Sequence, residues 1–228
     1  MQERTDEYRV IDLNTYPRRA HFDYFRTMAY PYVGVTVETD VTDLHALCKR
    51  NRLSFYLLFM HAAALAADSV PELRQRIRDG SIIEYKQCAT SHTESVGDGT
   101  YCYCTLRHHL PLEAYLREAE EARSACRERK ILEEDADADR LYFISTLPWL
   151  SYTQLIQPTA GGDESNPRIT WGKFAPDQSG RLMMPVSILC HHALVDGMHL
   201  AAFYRGLTEE MEKLCAEGNR LFPTETGS

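Results

Sequence analysis

MMPVSILCHHALVDGMHLAAFYRGL, residues 183–207, reads as a buried strand that carries two histidines at its end and then enters a helix. The apolar run through Cys190 is rich in strand-forming residues, and the helix starts near Met198 and is predicted to run to Cys215. Asp196-Gly197 sits at the helix entry, where an aspartate oxygen can accept from an otherwise unpaired backbone N–H. Strand ends are held rigidly by the sheet yet can reach a cleft. Adjacent strand residues point to opposite faces, so His191 and His192 cannot do the same job. One can face a cleft while the other packs or makes a structural hydrogen bond. A neutral imidazole accepts a proton near neutral pH, which few side chains do.

Outward from this segment, helices and strands alternate without a βαβ period. Short helices are predicted over Arg18–Met28 and from Asp40 or Thr42 to Lys49, and an apolar one over FYLLFMHAAALAA, entered from Ser54. ELRQRI reads as a short helix after Val70-Pro71, and Asp79-Gly80 turns the chain into the strand SIIEYK. Strands are expected around a loop at 97–99, and an amphipathic helix over Leu112–Lys130. After the acidic stretch EEDADAD (133–139), read as a solvated connection, strands dominate: Tyr32–Glu38 has its later counterparts in LYFIST, LSYTQLIQ, ITWGKF and LMMPVSILC. The pattern predicts an α+β fold in two layers, a large mixed sheet covered by helices.

Composition narrows the function. The 228 residues suit one domain over 1–228, with an ordered core over about 8–215. A net charge of −8, from 33 acidic and 25 basic residues, disfavours nucleic acid, which is bound through clustered Lys and Arg. The opening MQERTDEYRVID lacks the apolar run of a signal peptide, and Phe55–Ala67 is too short to span a bilayer. A cytoplasmic protein with no membrane segment is expected. The seven cysteines have no CxxC spacing, so they are read as free thiols and no metal site is expected, Cys102 and Cys104 included.

HHALVDG resembles the HHxxxDG signature of CoA-dependent acyltransferases, and other segments select among them. YPRRAHFDYFR, the run from Ser54 to Tyr85, ISTLPWLSYTQL and ITWGKF resemble, in order, segments of the chloramphenicol acetyltransferase family. The resemblance covers Tyr8 to about Lys213. It implies acetyl transfer from acetyl-CoA to a hydroxyl of chloramphenicol, directly and without an acyl-enzyme. His192 would be the general base, Ser145 the oxyanion donor, and Thr170 the holder of a water near the intermediate. Asp196 would pair with Arg18 and hold the histidine loop. Tyr56, Trp149 and Phe174 would face CoA, while Tyr24, Phe25 and Ala29 would face the acceptor. The resemblance also implies a homotrimer with active sites between subunits, and no permanently bound cofactor.

The chain departs from the family pattern mainly at the acceptor pocket. Ala29 and Pro31 stand for a larger residue and a cysteine, and the strand from Thr93 to Cys104 follows the pattern loosely. Near the CoA end, Ser54 replaces a lysine and Phe174 a tyrosine. Pocket shape and a few polar contacts set acceptor choice, so weaker binding of chloramphenicol is expected. The alternatives are a same-fold acyltransferase for another small alcohol or amine, and a catalytically silent metabolite-binding homologue.

Overall fold

The computed structural model describes residues 7–97, 99–129 and 137–222. Lys130, the 133–136 part of the acidic connection and Asp98 of the loop at 97–99 lie outside the described residues. The elements run β1 (Tyr8–Ile11), α1 (Arg19–Phe25), β2 (Tyr32–Asp40), α2 (Thr42–Asn51), α3 (Phe55–Asp68), β3 (Gln75–Arg78), β4 (Ser81–Tyr85), β5 (Ala89–Ser95) and β6 (Tyr101–Leu106). Then follow α4 (Leu112–Arg129), β7 (Leu141–Leu147), β8 (Arg168–Gly172), β9 (Ala175–Pro176), β10 (Leu182–His191) and α5 (Gly197–Leu221). The large sheet has the order β2-β10-β8-β7-β5-β6, with β9 also pairing β10. β7 runs parallel to both β5 and β8, and the other pairs are antiparallel. A smaller sheet, β1-β4-β3, is antiparallel throughout. This is the mixed sheet with covering helices that the sequence predicts.

The core forms where α3 and α5 cover the large sheet. Ser54 caps α3 by accepting from Leu57 N–H at 3.3 Å. Ala62, Ala63, Ala66 and Ala67 leave no side chain to hold α3 away from its neighbours, and all four are fully buried. A helix apolar on nearly every side belongs in a core. α5 is amphipathic instead: Leu200, Phe203, Leu207, Met211 and Leu214 recur at helical spacing and are buried. Burying such a side chain contributes about 1.5–3 kcal/mol. On β10 the alternate residues Met184, Val186, Ile188 and Cys190 are buried in the same core.

Four local expectations give way to tertiary structure. ELRQRI is not one helix: Pro71–Arg74 is a single 3-10 turn, and Gln75–Arg78 pairs with β4. Asp79 (φ 48°) and Gly80 (φ 77°) both adopt the left-handed backbone that a two-residue hairpin turn requires. LSYTQLIQ (150–157) forms no strand, because β7 pairs directly with β8 and leaves no slot between them. The segment crosses the sheet over Gly172, where a Cβ would meet the Leu150 carbonyl oxygen at 2.6 Å and the Tyr152 ring at 2.8 Å. α1 ends at Phe25 rather than Met28. Finally, two of the cysteines are not free: Cys102 on β6 and Cys126 on α4 form a disulfide, with Cα atoms 6.3 Å apart. Packing of α4 on β6 brings these residues together across 24 positions, a separation that sequence spacing does not flag.

Candidate active site

β10 ends at His191, opposite Tyr32 of β2, and the chain turns sharply there. Leu194 and Val195 N–H groups both bond the His191 carbonyl, at 3.0 and 3.1 Å. His192 donates its backbone N–H to the Pro31 carbonyl at 2.7 Å, and its half-buried ring stacks on Phe25 at 3.8 Å. Its Nδ1 lies 2.8 Å from the Val195 carbonyl oxygen. A carbonyl only accepts, so Nδ1 carries the proton and Nε2 keeps a lone pair.

His191 has a different environment. It is 1% exposed, its Nδ1 accepts from Ala193 N–H at 3.2 Å, and Nε2–H donates to the Gly162 carbonyl at 3.2 Å. Burial pushes its pKa down, against the pull of that carbonyl and of Asp163. Both nitrogens are occupied, which is the structural task expected of one member of the pair.

Asp196 is the N-cap of α5. Its Oδ1 accepts from Met198 N–H at 3.0 Å, and Asp196 N–H donates to His199 Nδ1 at 3.1 Å, which closes a capping box. The other carboxylate oxygen receives Nη1 of Arg18, the residue that precedes α1. Burial opposes the Asp196 charge, but the Arg18 hydrogen bond, with His199 and the Met198 amide, outweighs it and holds the carboxyl below its ordinary range. Arg18 and Asp196 therefore tie α1, which carries Phe25, to the loop that carries His192.

Ser145 and Thr170 lie elsewhere on the sheet. Ser145 is in register with Thr170, and Thr170 with Ser187. Ser145 and Thr170 line a cavity of about 470 Å³ together with His92, Tyr103, Leu155 and Ile156. Thr170 is 2% exposed, and its Oγ1 has no hydrogen-bond partner among the described residues. His192 does not line this cavity. At ~4.8 Å per strand and ~3.3 Å per residue, Ser145 lies about 10 Å to the side of β10 and about 13 Å short of its end. Within one chain Ser145 and the end of β10 are thus roughly 16 Å apart.

The remaining expected residues scatter. Phe25 touches His192, Tyr24 packs edge-on against Phe25, and Ala29 is exposed on the turn after α1. Tyr56 lies against His92 and Trp171, with Arg123 over its ring, while Phe174 packs against His45 and Phe55. Trp149 is 79% exposed, beside the exposed Leu150. Two features escaped the sequence reading. His92 is buried at the cavity wall with Nδ1 unpartnered and Nε2 3.8 Å from Glu94, and Tyr152 O–H donates to the Thr170 carbonyl at 3.0 Å. No local pattern marks either residue. His199 was detectable as the third helical residue after Asp196.

Comparison with known proteins fits this arrangement. The family model described as chloramphenicol acetyltransferase matches residues 6–208. A chloramphenicol acetyltransferase of Klebsiella sp is 25% identical over 95% of this chain and 98% of its own length. Chloramphenicol acetyltransferase 2 of Escherichia coli is 27% identical over 86% of this chain and 93% of its own. A solved chloramphenicol acetyltransferase superposes with a TM-score of 0.80 at 25% identity, covering 90% of this chain and 99% of that one. The dihydrolipoamide acetyltransferase of Azotobacter vinelandii shares the fold at a TM-score of 0.63 and 18% identity, covering 89% of this chain and 88% of that one.

Proposed function

This chain belongs to the chloramphenicol acetyltransferase family and is an acyltransferase, and from that premise we propose that it acetylates the primary hydroxyl of chloramphenicol with acetyl-CoA. The observation that carries the mechanism is the 2.8 Å bond from His192 Nδ1 to the Val195 carbonyl, which leaves Nε2 free to act as base. Nε2 removes the acceptor's hydroxyl proton as that oxygen attacks the thioester carbonyl carbon. The thioester oxygen becomes an oxyanion, and Ser145 O–H donates to it. Collapse breaks the C–S bond, and the departing CoA sulfur takes the proton back from Nε2. A positioned base supplies about 10²–10⁴ in rate and one oxyanion donor a further ~10²–10³.

The unpaired Thr170 hydroxyl supports its role in holding a water near the intermediate, because a buried O–H without a partner is costly. Arg18 and Asp196 position the base by fixing its loop. Exposed Trp149, with Tyr56 and Phe174, faces CoA, and Phe25, Tyr24 and Ala29 face the acceptor.

The gap of roughly 16 Å between Ser145 and the end of β10 is too wide for one acceptor hydroxyl to bridge. We infer that His192 of one copy works with Ser145 and Thr170 of a neighbour, and the resemblance to the family makes that assembly a homotrimer. β2 is an edge strand with Val35 and Val37 exposed, which suits it to subunit contact. No helix among the described residues is long and apolar enough to cross a membrane, and we place the enzyme in the cytoplasm with its co-substrate.

One observation favours a second acceptor class. His92, which lines the cavity with its Nδ1 unpartnered, offers a polar contact that suits another small alcohol or amine. The test is CoA thiol release with chloramphenicol and a panel of alcohols and amines, with mass spectrometry of the products. Acetylated chloramphenicol is the expected product. Turnover of another acceptor with saturating chloramphenicol untouched would remove the drug and keep the acyltransferase.

A further inference from the structure

We propose that Asp68, His108 and His109 form a binding site for a divalent transition metal of the zinc type, with a fourth coordination position open to the surface. Asp68 closes α3, and the two histidines follow β6, so packing converges ligands from positions 40 residues apart. One ligand atom from each residue lies within 4.8 Å of the other two. His108 Nε2 is 3.1 Å from Asp68 Oδ2, and His109 Nε2 approaches the same oxygen. Two imidazoles and one carboxylate form a donor set that suits zinc, and three protein ligands leave one position free.

The surroundings resemble a supported coordination shell. Tyr142 O–H donates to Asp68 Oδ1 at 2.6 Å, and Cys88 N–H approaches that oxygen at 3.4 Å. This second bond set fixes the carboxylate and leaves Oδ2 to face the histidines. His108 is 1% exposed with its Nδ1 unpartnered, while the His109 side chain is 26% exposed and opens onto a cavity of about 170 Å³ lined by Gln87, Cys88, Arg107 and Arg140. A metal can therefore reach the site and a water can fill its fourth position. Without metal, the shared oxygen takes two N–H donors. On binding, each neutral imidazole exchanges its Nε2 proton for one on Nδ1, with no net proton lost, and Nε2 donates its lone pair to the ion.

None of the three residues lines the Ser145 cavity, and the proposed transfer uses none of them. The metal would clamp the end of α3 to the β6–α4 connection and stabilise the fold.

The test uses the purified full chain, stripped with chelator and titrated with Zn²⁺ or Co²⁺ alone. One bound ion per chain, tetrahedral Co²⁺ visible bands and a Tm rise of about 5–10 °C at a metal concentration 100 times Kd are expected. His109→Ala, at a half-exposed position, should lose all three while keeping the wild-type circular dichroism and acetyl transfer. His109→Phe preserves ring volume if the alanine variant folds poorly. No uptake by the wild type overturns the proposal, as does uptake by a folded variant with unchanged affinity and Tm shift.

Discussion

Replacing Asp196 by asparagine isolates the charge in the Arg18–Asp196 pair, because asparagine caps a helix as well as aspartate does. The two side chains are 16% and 30% exposed. Their pairing therefore exceeds that of a surface ion pair, 0–1 kcal/mol, and falls short of the 3–5 kcal/mol cost of breaking a fully buried one. We expect Asp196→Asn to cost about 1–2 kcal/mol, or roughly 3–6 °C in Tm for a chain of this size. Asp196→Ala also removes the oxygen that accepts from Met198 N–H and should cost about 1 kcal/mol more. Urea unfolding at fixed protein concentration, for Arg18→Ala, Asp196→Asn and the double variant, measures the coupling directly. A coupling of about 1–2 kcal/mol, reduced by salt, is expected. Full additivity of the two single changes would refute the pair as a determinant of the histidine loop. Both variants should also lower kcat, since the loop they loosen aims His192.

Further expectations concern the cavity and its wall. Ser145→Ala should lower kcat by about 10²–10³ with little change in KM, because an oxyanion donor acts in the transition state; steady-state kinetics decides. Thr170→Val removes the hydroxyl proposed to hold the water, so kcat should fall with little change in Tm. Burial opposes ionisation of Glu94, but His92, Arg123 and Arg127 outweigh it and hold its pKa at about 2, down from 4.5. A depressed folded pKa stabilises above the unfolded value and loses that contribution as pH falls. Wild type should therefore lose more stability than Glu94→Gln between pH 4.5 and about 2, as read by urea midpoints. His191→Ala should cost stability above all, since both its nitrogens hold backbone groups.

Much of the candidate site's local geometry was legible because its signals are local. The strand, the paired histidines and the Asp196 cap occupy one short segment, and the histidines part because His191 closes the strand while His192 opens the turn that follows it. Long-range packing decided the rest. LSYTQLIQ alternates like a strand, yet direct pairing of β7 with β8 denies it a place in the sheet. Gln75–Arg78 reads as helical until the Asp79-Gly80 turn folds it back onto β4. The Cys102–Cys126 bridge and the Asp68–His108–His109 cluster join residues from separate elements, and no spacing rule links them. Sequence order likewise conceals that Ser145 and His192 of one chain stand far apart.

Subunit complementation tests the central claim most directly, that base and oxyanion donor come from different copies. His192→Ala and Ser145→Ala chains, each expected to retain at most about 1% of wild-type activity alone, are mixed in equal amounts, unfolded and refolded together. If each site draws His192 from one chain and Ser145 from its neighbour, random assembly restores about a quarter of the wild-type sites, since each site needs the Ser145→Ala chain on one side and the His192→Ala chain on the other. Activity near a quarter of wild type, with chloramphenicol and acetyl-CoA, is the predicted result. Mixed assemblies that form but stay as inactive as either parent would contradict the shared site and return both residues to a single chain.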